Sequence, residues 1–244
     1  MKKYVNLFVF VFMIGACLSQ GRAQTKSAVS YKNPVVDIAM PDPTVIKAAD
    51  GYFYVYATES TRNVPIMKSK DLVEWTYCNT AFTNKTRPRF EPKAGIWAPD
   101  INYINGKYVL YYAMSVWGGE QTCGIGVATA NSPQGPFTDH GKMFRSNEIG
   151  VQNSIDPSLL QYEGRNYLVW GSFRGIYVIE LTTDGLSIMP GAKKKRIAGT
   201  AFEAVYIHKH DDYYYMFASI GSCCQGVKST YKVCLLYTSD AADE

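Results

Sequence analysis

The chain has 244 residues, of which 47% are hydrophobic and 19% charged, and these values indicate one sizeable globular domain with its own core. The net charge is +4, and the four-residue basic run Lys193-Lys194-Lys195-Arg196 is more typical of a solvated turn than of a nucleic-acid surface, so we expect no nucleic-acid partner. Six cysteines without paired C-x-x-C motifs argue against a disulfide framework and against the usual zinc spacing.

The N-terminus has the pattern of an export signal. The basic pair Lys2-Lys3 precedes an apolar run, residues 5–14, that is too short to span a membrane as a helix. Cleavage after Ala23 is the favoured interpretation, and the alternative is a lipobox in which Cys17 carries lipid. We therefore expect a signal peptide at residues 1–23, no membrane span elsewhere, and a periplasmic or extracellular location.

Short apolar and aromatic segments separated by turns follow one another through most of the remaining chain. Asn105-Gly106 is a typical two-residue hairpin turn, and helical periodicity is nearly absent. The segments recur at intervals of about 50 residues, with several strands in each repeat, and this pattern predicts an all-β fold of the β-propeller type.

An acidic residue opens each of four repeats: Asp42, Asp100, Asp156 and Glu203. A single Asp-Pro would more often cap a turn, but four acids at matching places favour a site where the blades converge. Carboxylates that share a pocket repel each other, so one can stay protonated while another is ionised, as glycoside hydrolysis requires. Metal chelation is a weaker alternative, because none of the three histidines lies at ligand spacing from the acids.

Several motifs resemble glycoside hydrolase family 43, from about Asn33 to Val233. The motifs are Pro41-Asp42-Pro43, Met67-Lys68-Ser69-Lys70-Asp71-Leu72-Val73-Glu74-Trp75, Trp97-Ala98-Pro99-Asp100, Gly135-Pro136-Phe137-Thr138-Asp139-His140-Gly141 and Ile155-Asp156-Pro157-Ser158. Phe202-Glu203-Ala204 and the segment from Cys223-Cys224-Gln225-Gly226 to Ser229-Thr230-Tyr231 resemble the arabinanase branch, the endo-1,5-α-L-arabinanases. The resemblance implies a five-bladed β-propeller.

The resemblance also implies roles for individual residues. Asp42 would be the general base, Glu203 the general acid, and Asp156 the residue that orients this acid and raises its pKa. The family inverts configuration, so base and acid should stand about 6.5–9.5 Å apart. The residues expected to line the sugar site are Trp97, Gly118, Asn153, Ser172 and Phe173. For Trp97 a role in the core remains an equal alternative, and Asp100 is expected to be structural.

Three departures from the family pattern affect what the resemblance implies. Val205 stands where the family usually has proline, and Arg174 stands where an aromatic residue is common. After Val233 the match ends, so we expect residues 24–233 to form an incomplete propeller of about four blades and residues 234–244 to be a non-native tail. The remaining blade would carry the family's channel histidine, and the fragment is expected to be inactive by itself.

The predicted function is inverting hydrolysis of α-1,5-L-arabinan, with arabinan or its oligosaccharides as the partner and a monomeric enzyme. The alternatives are an exo-acting α-L-arabinofuranosidase or β-xylosidase of the same family, and a carbohydrate-binding propeller without catalysis. The chemistry requires no cofactor and we predict no metal ligands among the site residues. The resemblance leaves open only a structural calcium ion in the channel.

Overall fold

The computed structural model describes residues 30–239, and these residues form antiparallel strands with very little helix. Within the described part of the chain, residues 32–239 belong to one compact unit. The predicted signal peptide and the last five residues of the predicted tail lie outside the described residues. None of the helices in the described part of the chain is long and apolar enough to cross a membrane.

The described residues contain fifteen strands, one α-helical turn and one 3-10 turn. The strands are β1 Thr44–Lys47, β2 Phe53–Tyr56, β3 Pro65–Ser69, β4 Trp75–Thr80, β5 Gly95–Ile104, β6 Lys107–Ser115, β7 Gly124–Ala130, β8 Thr138–Arg145, β9 Ser158–Tyr162, β10 Arg165–Trp170, β11 Ile176–Leu181, β12 Lys195–Ala198, β13 Glu203–His210, β14 Tyr213–Ser222 and β15 Thr230–Ser239. The helix α1 is Ser146–Ile149 and the 3-10 turn is Gly226–Lys228.

The strands form four antiparallel sheets in which each strand pairs with its neighbour in sequence. Blade 1 is β1–β4, blade 2 is β5–β8, blade 3 is β9–β12 and blade 4 is β13–β15. The hairpin turns Asn105-Gly106 and Glu163-Gly164 join the first two strands of blades 2 and 3, and all four residues have positive φ. This arrangement confirms the predicted all-β propeller with about four blades. Strand β15 pairs with β14 as far as Ser239, which includes part of the predicted tail.

Hydrophobic side chains fill the interfaces between successive blades. In β10, Leu168 and Trp170 pack toward blade 2, where the rings of Trp170 and Phe144 are 5.1 Å apart. Val169, between them, packs toward blade 4 against Val205. Because both faces of β10 are buried, its sequence is a continuous apolar run without alternation.

The first strands of the blades contact one another in order, β1 with β5, β5 with β9 and β9 with β13, so they form the inner ring of the fold. A residue with left-handed φ lies near the start of each one, two residues before β1 and β9 and within the first four residues of β5 and β13: Asp42 (50°), Ala98 (39°), Asp156 (56°) and Ala204 (51°). In β5 and β13 a β-bulge accompanies it. We call this end of the inner strands the acid end.

The four acids do not occupy the same position in each blade, although the sequence predicted matching places. Asp42 and Asp156 are themselves the left-handed residues. Glu203 lies one residue before the left-handed Ala204, and Asp100 lies two residues after Ala98. The bulges therefore direct the acidic side chains differently from blade to blade.

Asp100 connects the inner strands of neighbouring blades, as the structural role expected from the sequence requires. Its side chain is buried, and its Oδ2 accepts hydrogen bonds from the Leu159 N–H of β9 at 2.8 Å and from Asn102 Nδ2 at 2.7 Å. The pKa of Asp100 is raised to about 6 by burial, against the hydrogen bonds that lower it. The carboxyl is thus an internal acceptor between β5 and β9.

Replacing Asp100 with alanine should destabilise the fold by about 3 kcal/mol, because a buried N–H of Leu159 loses its acceptor. Urea unfolding followed by circular dichroism would measure the change. Glu74→Ala, which removes an exposed acid, is the control and should change the free energy of unfolding by less than about 0.5 kcal/mol. Equal unfolding midpoints for the two variants would contradict the structural role of Asp100.

Candidate active site

Three carboxylates lie near one another at the acid end. Asp42 precedes β1 in blade 1, Asp156 precedes β9 in blade 3, and Glu203 begins β13 in blade 4. The pKa of Asp156 is raised to about 8, first by burial and then by the charges of Glu203 and Asp42, while a hydrogen bond from the Ala204 N–H at 3.1 Å lowers it. Because the charges of Glu203 and Asp42 act on Asp156, the three predicted catalytic residues form one electrostatic cluster.

Asp42 is the exposed member of this cluster, and a threonine hydroxyl holds it. Thr58 Oγ1 donates to Asp42 Oδ2 at 2.5 Å and accepts from the N–H of Ala98 at 2.7 Å. The backbone N–H of Thr58 also donates to the carbonyl of Pro41 at 2.9 Å. The position of Asp42 therefore depends on blades 1 and 2 together.

Glu203 is partly exposed and accepts one hydrogen bond on each carboxylate oxygen. Ser172 Oγ donates to Oε2 at 2.9 Å, and the Tyr231 hydroxyl donates to Oε1. The pKa of Tyr231 is raised, first by burial and then by the hydrogen bond to Glu203. Tyr231 was not among the predicted site residues, although it belongs to the Ser229-Thr230-Tyr231 motif that resembles the arabinanase branch.

Hydrogen bonds of Asn153, Ser172 and Phe173 fix the backbone and side chain beside Glu203. Asn153 Nδ2 donates to the carbonyl of Ser172 at 3.0 Å, and the N–H of Phe173 donates to the carbonyl of Phe202 at 2.9 Å. Ser172 is only 2% exposed, so its hydroxyl is directed at Glu203 from inside the fold. These contacts place the three predicted residues beside the acid.

Trp97 and Trp117 form an aromatic pair near the acid end. Trp97 is half-buried against Ile155 and its neighbours, and its ring lies 6.5 Å from that of Trp117. Trp117 is 76% exposed and precedes Gly118, whose φ is 80°. Trp97 thus has one side in an apolar cluster and another beside an exposed aromatic ring. The sequence analysis did not include Trp117 among the residues of the sugar site. Its position next to the predicted Gly118, in the loop after a predicted strand, could have indicated it.

The two adjacent cysteines lie close to the carboxylates. The pKa of Cys224 is raised to about 11, first by a hydrogen bond with Cys223, then by burial, and further by Asp42 and Glu203. Both cysteines are free thiols, as are Cys78, Cys123 and Cys234. Cys224 and Tyr231 therefore both lie near Glu203 at the acid end.

A structural calcium ion in the channel stays a prediction that the resemblance implies. Within residues 30–239 no group of three or more His, Cys, Asp and Glu side chains could hold a metal ion. His140 is engaged with Thr129 Oγ1 at 2.8 Å, and His208 and His210 stack on each other along β13.

The family model for glycosyl hydrolases family 43 matches residues 31–243. The chain belongs to this family. It is 37% identical over 206 residues to the extracellular endo-α-(1→5)-L-arabinanase 1 of Bacillus subtilis, an alignment that covers 79% of this chain and 62% of the relative. The chain thus spans about three fifths of the length of that relative.

Solved arabinanase structures share the fold. The Cellvibrio cellulosa α-L-arabinanase in complex with arabinohexaose has 28% sequence identity and a TM-score of 0.73, over 82% of this chain and 71% of the other. An exo-1,5-α-L-arabinanase from a bovine ruminal metagenomic library has 30% identity and a TM-score of 0.72, over 86% and 74% of the two chains. Endo-acting and exo-acting members are therefore both similar to this chain.

Asp156→Asn should make the protein more stable at pH 8 than the unchanged chain, by on the order of 1–3 kcal/mol. The folded protein binds a proton at Asp156 up to about pH 8, whereas the unfolded chain releases it near the ordinary value of 3.8. The free energy of unfolding should therefore fall as the pH rises between these values, and the asparagine variant should lack this fall.

Urea unfolding at pH 4, 6 and 8 would measure the difference between the two proteins. It should be smallest at pH 4 and largest at pH 8. Asp212→Asn, at an exposed acid in the turn between β13 and β14, is the matched control. Parallel pH curves for Asp156→Asn and the unchanged chain would contradict the raised pKa.

Proposed function

We propose that this chain contains the catalytic residues of an endo-acting arabinan hydrolase, which cleaves α-1,5-linked L-arabinan with inversion of configuration. The observation that carries the proposal is the cluster of Asp42, Asp156 and Glu203, in which burial and then the charges of Glu203 and Asp42 raise the pKa of Asp156. Carboxyl groups in different protonation states are what glycoside hydrolysis requires. The substrate class is proposed from the arabinanase relatives.

In the proposed reaction Asp42 removes a proton from the attacking water. Asp42 is exposed, and the hydroxyl of Thr58 fixes the direction of its carboxylate. The water then attacks the anomeric carbon from the face opposite the leaving oxygen. An inverting enzyme needs about 6.5–9.5 Å between base and acid to admit this water.

Glu203 donates the proton to the leaving oxygen as the glycosidic bond breaks. Ser172 and Tyr231 hold its two carboxylate oxygens, so the direction of proton donation is set before substrate binds. Asp156 orients the acid through the N–H of Ala204, the residue that follows Glu203. Asp42 then releases to solvent the proton that it took from the water, and Glu203 takes up a proton from solvent, so both groups return to their starting states.

The aromatic pair supplies a surface for the furanose rings. Trp117 is exposed beside Trp97, and the flat faces of tryptophan pack well against the apolar faces of sugars.

The name of the Bacillus subtilis relative describes an extracellular protein. We propose that this protein is likewise exported, in accordance with the signal pattern at its N-terminus.

In a chain extended through the expected fifth blade, which is used for all activity measurements, Glu203→Gln should reduce hydrolysis of linear 1,5-arabinan by about 100- to 10,000-fold, because glutamine cannot donate a proton to the leaving oxygen. An aryl glycoside with an acidic phenol leaving group needs little protonation and should lose much less activity. Asp42→Asn should abolish both reactions, since both need an activated water. Chromatography of the arabino-oligosaccharides and phenol release would measure the two activities.

Glu163→Gln is the control for these variants, because Glu163 is an exposed acid in the β9–β10 turn, at the opposite end of blade 3. Mixed oligosaccharides as products would support endo action, whereas release of single units or activity on xylo-oligosaccharides would favour an exo-acting enzyme. Binding of arabinan without turnover by the extended chain with no substitution would instead indicate a carbohydrate-binding propeller.

Trp117→Ala should raise the KM for arabinan several-fold with a smaller change in kcat, since loss of a stacking surface mainly affects binding of the ground state. Tyr103→Ala is the matched control, because Tyr103 is also exposed but lies near the end of β5, away from the acid end. Equal KM values for Trp117→Ala and the unchanged protein would exclude Trp117 from the sugar-binding surface.

A further inference from the structure

We propose that the ion pair between Glu120 and Arg174 is a positioning device for Glu203; this inference rests on the proposed function, in which Glu203 is the proton donor. Arg174 Nε donates to Glu120 Oε2 at 2.9 Å, and Arg174 Nη2 donates to Glu120 Oε1 at 2.8 Å. The contact is therefore bidentate, a geometry that fixes direction as well as distance.

The ion pair joins two blades at the acid end. Glu120 lies in the segment between β6 and β7, and Arg174 lies in the turn between β10 and β11. The end of β6 pairs with the start of β5 through Ser115 and Gly95. The end of β10 likewise lies beside the start of β9. Both segments are consequently at the end of the fold that carries the carboxylates.

Hydrogen bonds connect the ion pair to Ser172, which contacts Glu203. Arg174 Nη1 donates to the carbonyl of Phe173 at 3.0 Å. Asn153 bridges the two segments, because its N–H donates to the carbonyl of Glu120 at 2.8 Å and its Nδ2 donates to the carbonyl of Ser172 at 3.0 Å. The backbone around Ser172 is thus held from both sides before its hydroxyl reaches Glu203.

The expected effect of the pair is on geometry more than on stability. The side chains of Arg174 and Glu120 are 43% and 36% exposed, and ion pairs with such exposure stabilise a fold only slightly. A small displacement of a catalytic group nevertheless lowers the rate strongly, by up to about 100-fold for 1 Å. If Ser172 were more mobile, the carboxyl of Glu203 would adopt orientations that cannot protonate the leaving oxygen.

Arg174→Ala should lower kcat for linear 1,5-arabinan roughly five- to tenfold, while KM stays within about twofold. The exchanged pair Glu120→Arg with Arg174→Glu should recover most of the loss, whereas Arg174→Lys should recover only part, because lysine cannot form the bidentate contact. Arg165→Ala is the control, since Arg165 forms an exposed ion pair with Glu180 at 3.7 Å in the same blade, near the start of β10. Arg165→Ala should leave kcat and KM for arabinan unchanged.

Amide hydrogen exchange provides a readout that does not depend on activity. In Arg174→Ala the N–H groups of Asn153 and Phe173 should exchange faster, while the N–H groups in the middle of β10 should not change. Unchanged exchange at these two amides would overturn the proposal. So would a raised KM with unchanged kcat, because the ion pair would then act on substrate binding instead.

The activities of Glu203→Gln and Arg174→Ala together distinguish a wrong positioning role from a wrong proposed function. If Glu203→Gln loses activity and Arg174→Ala does not, the positioning role is wrong and the proposed function stands. If Glu203→Gln retains full activity on arabinan, Glu203 is not the proton donor, and both proposals are overturned.

Discussion

The left-handed residue at the start of each inner strand is the constraint on which the acid end depends. Side chains other than glycine occupy this region at a cost in free energy, and such strain persists only where the surrounding structure holds it. Here Asp42, Ala98 and Asp156 are each followed by proline, whose fixed φ directs the chain into the strand. The turn of the backbone brings carboxylates from separate blades to one place.

The side chains of the carboxylate cluster are fixed by hydrogen bonds that depend on neighbouring blades. The segments that contain the carboxylates do not fix them alone. Thr58 of blade 1 needs the N–H of Ala98 in blade 2 to direct its hydroxyl at Asp42. Ser172 of blade 3 holds Glu203 of blade 4. Asp42 and Glu203 are therefore positioned only when adjacent blades are packed, so the hydrophobic interfaces between blades also determine the geometry of the candidate site.

The sequence was sufficient to predict the all-β propeller, because turn residues and aromatic strands repeat at a regular interval. It also identified the acids, since Asp42 and Asp156 are marked by adjacent prolines. The different offsets of Asp100 and Glu203 were not predictable, because they depend on β-bulges in β5 and β13. Periodicity alone does not show where an extra residue enters a strand.

The partners of the acids were the least predictable part. Ser172 was expected in the site, but its hydrogen bond to Glu203 joins residues 31 positions apart, and that of Tyr231 joins residues 28 positions apart. The first contact joins blades 3 and 4, and the second joins two strands of blade 4; local sequence pattern carries no signal for either. Glu120 shows the same limit, because nothing in its own segment indicates the distant Arg174.

The fourth blade shows how a side chain can replace a proline. The segment Glu203-Ala204-Val205 has valine where the other three inner strands have proline, yet Ala204 keeps the left-handed φ of 51°. Asp156 accepts a hydrogen bond from the N–H of Ala204, and Val205 is buried against blade 3. These contacts fix the backbone on both sides of the left-handed residue. The orientation of Glu203 thus depends on Asp156, so the carboxyl that is costly to ionise in the folded protein also holds the backbone of the proposed acid.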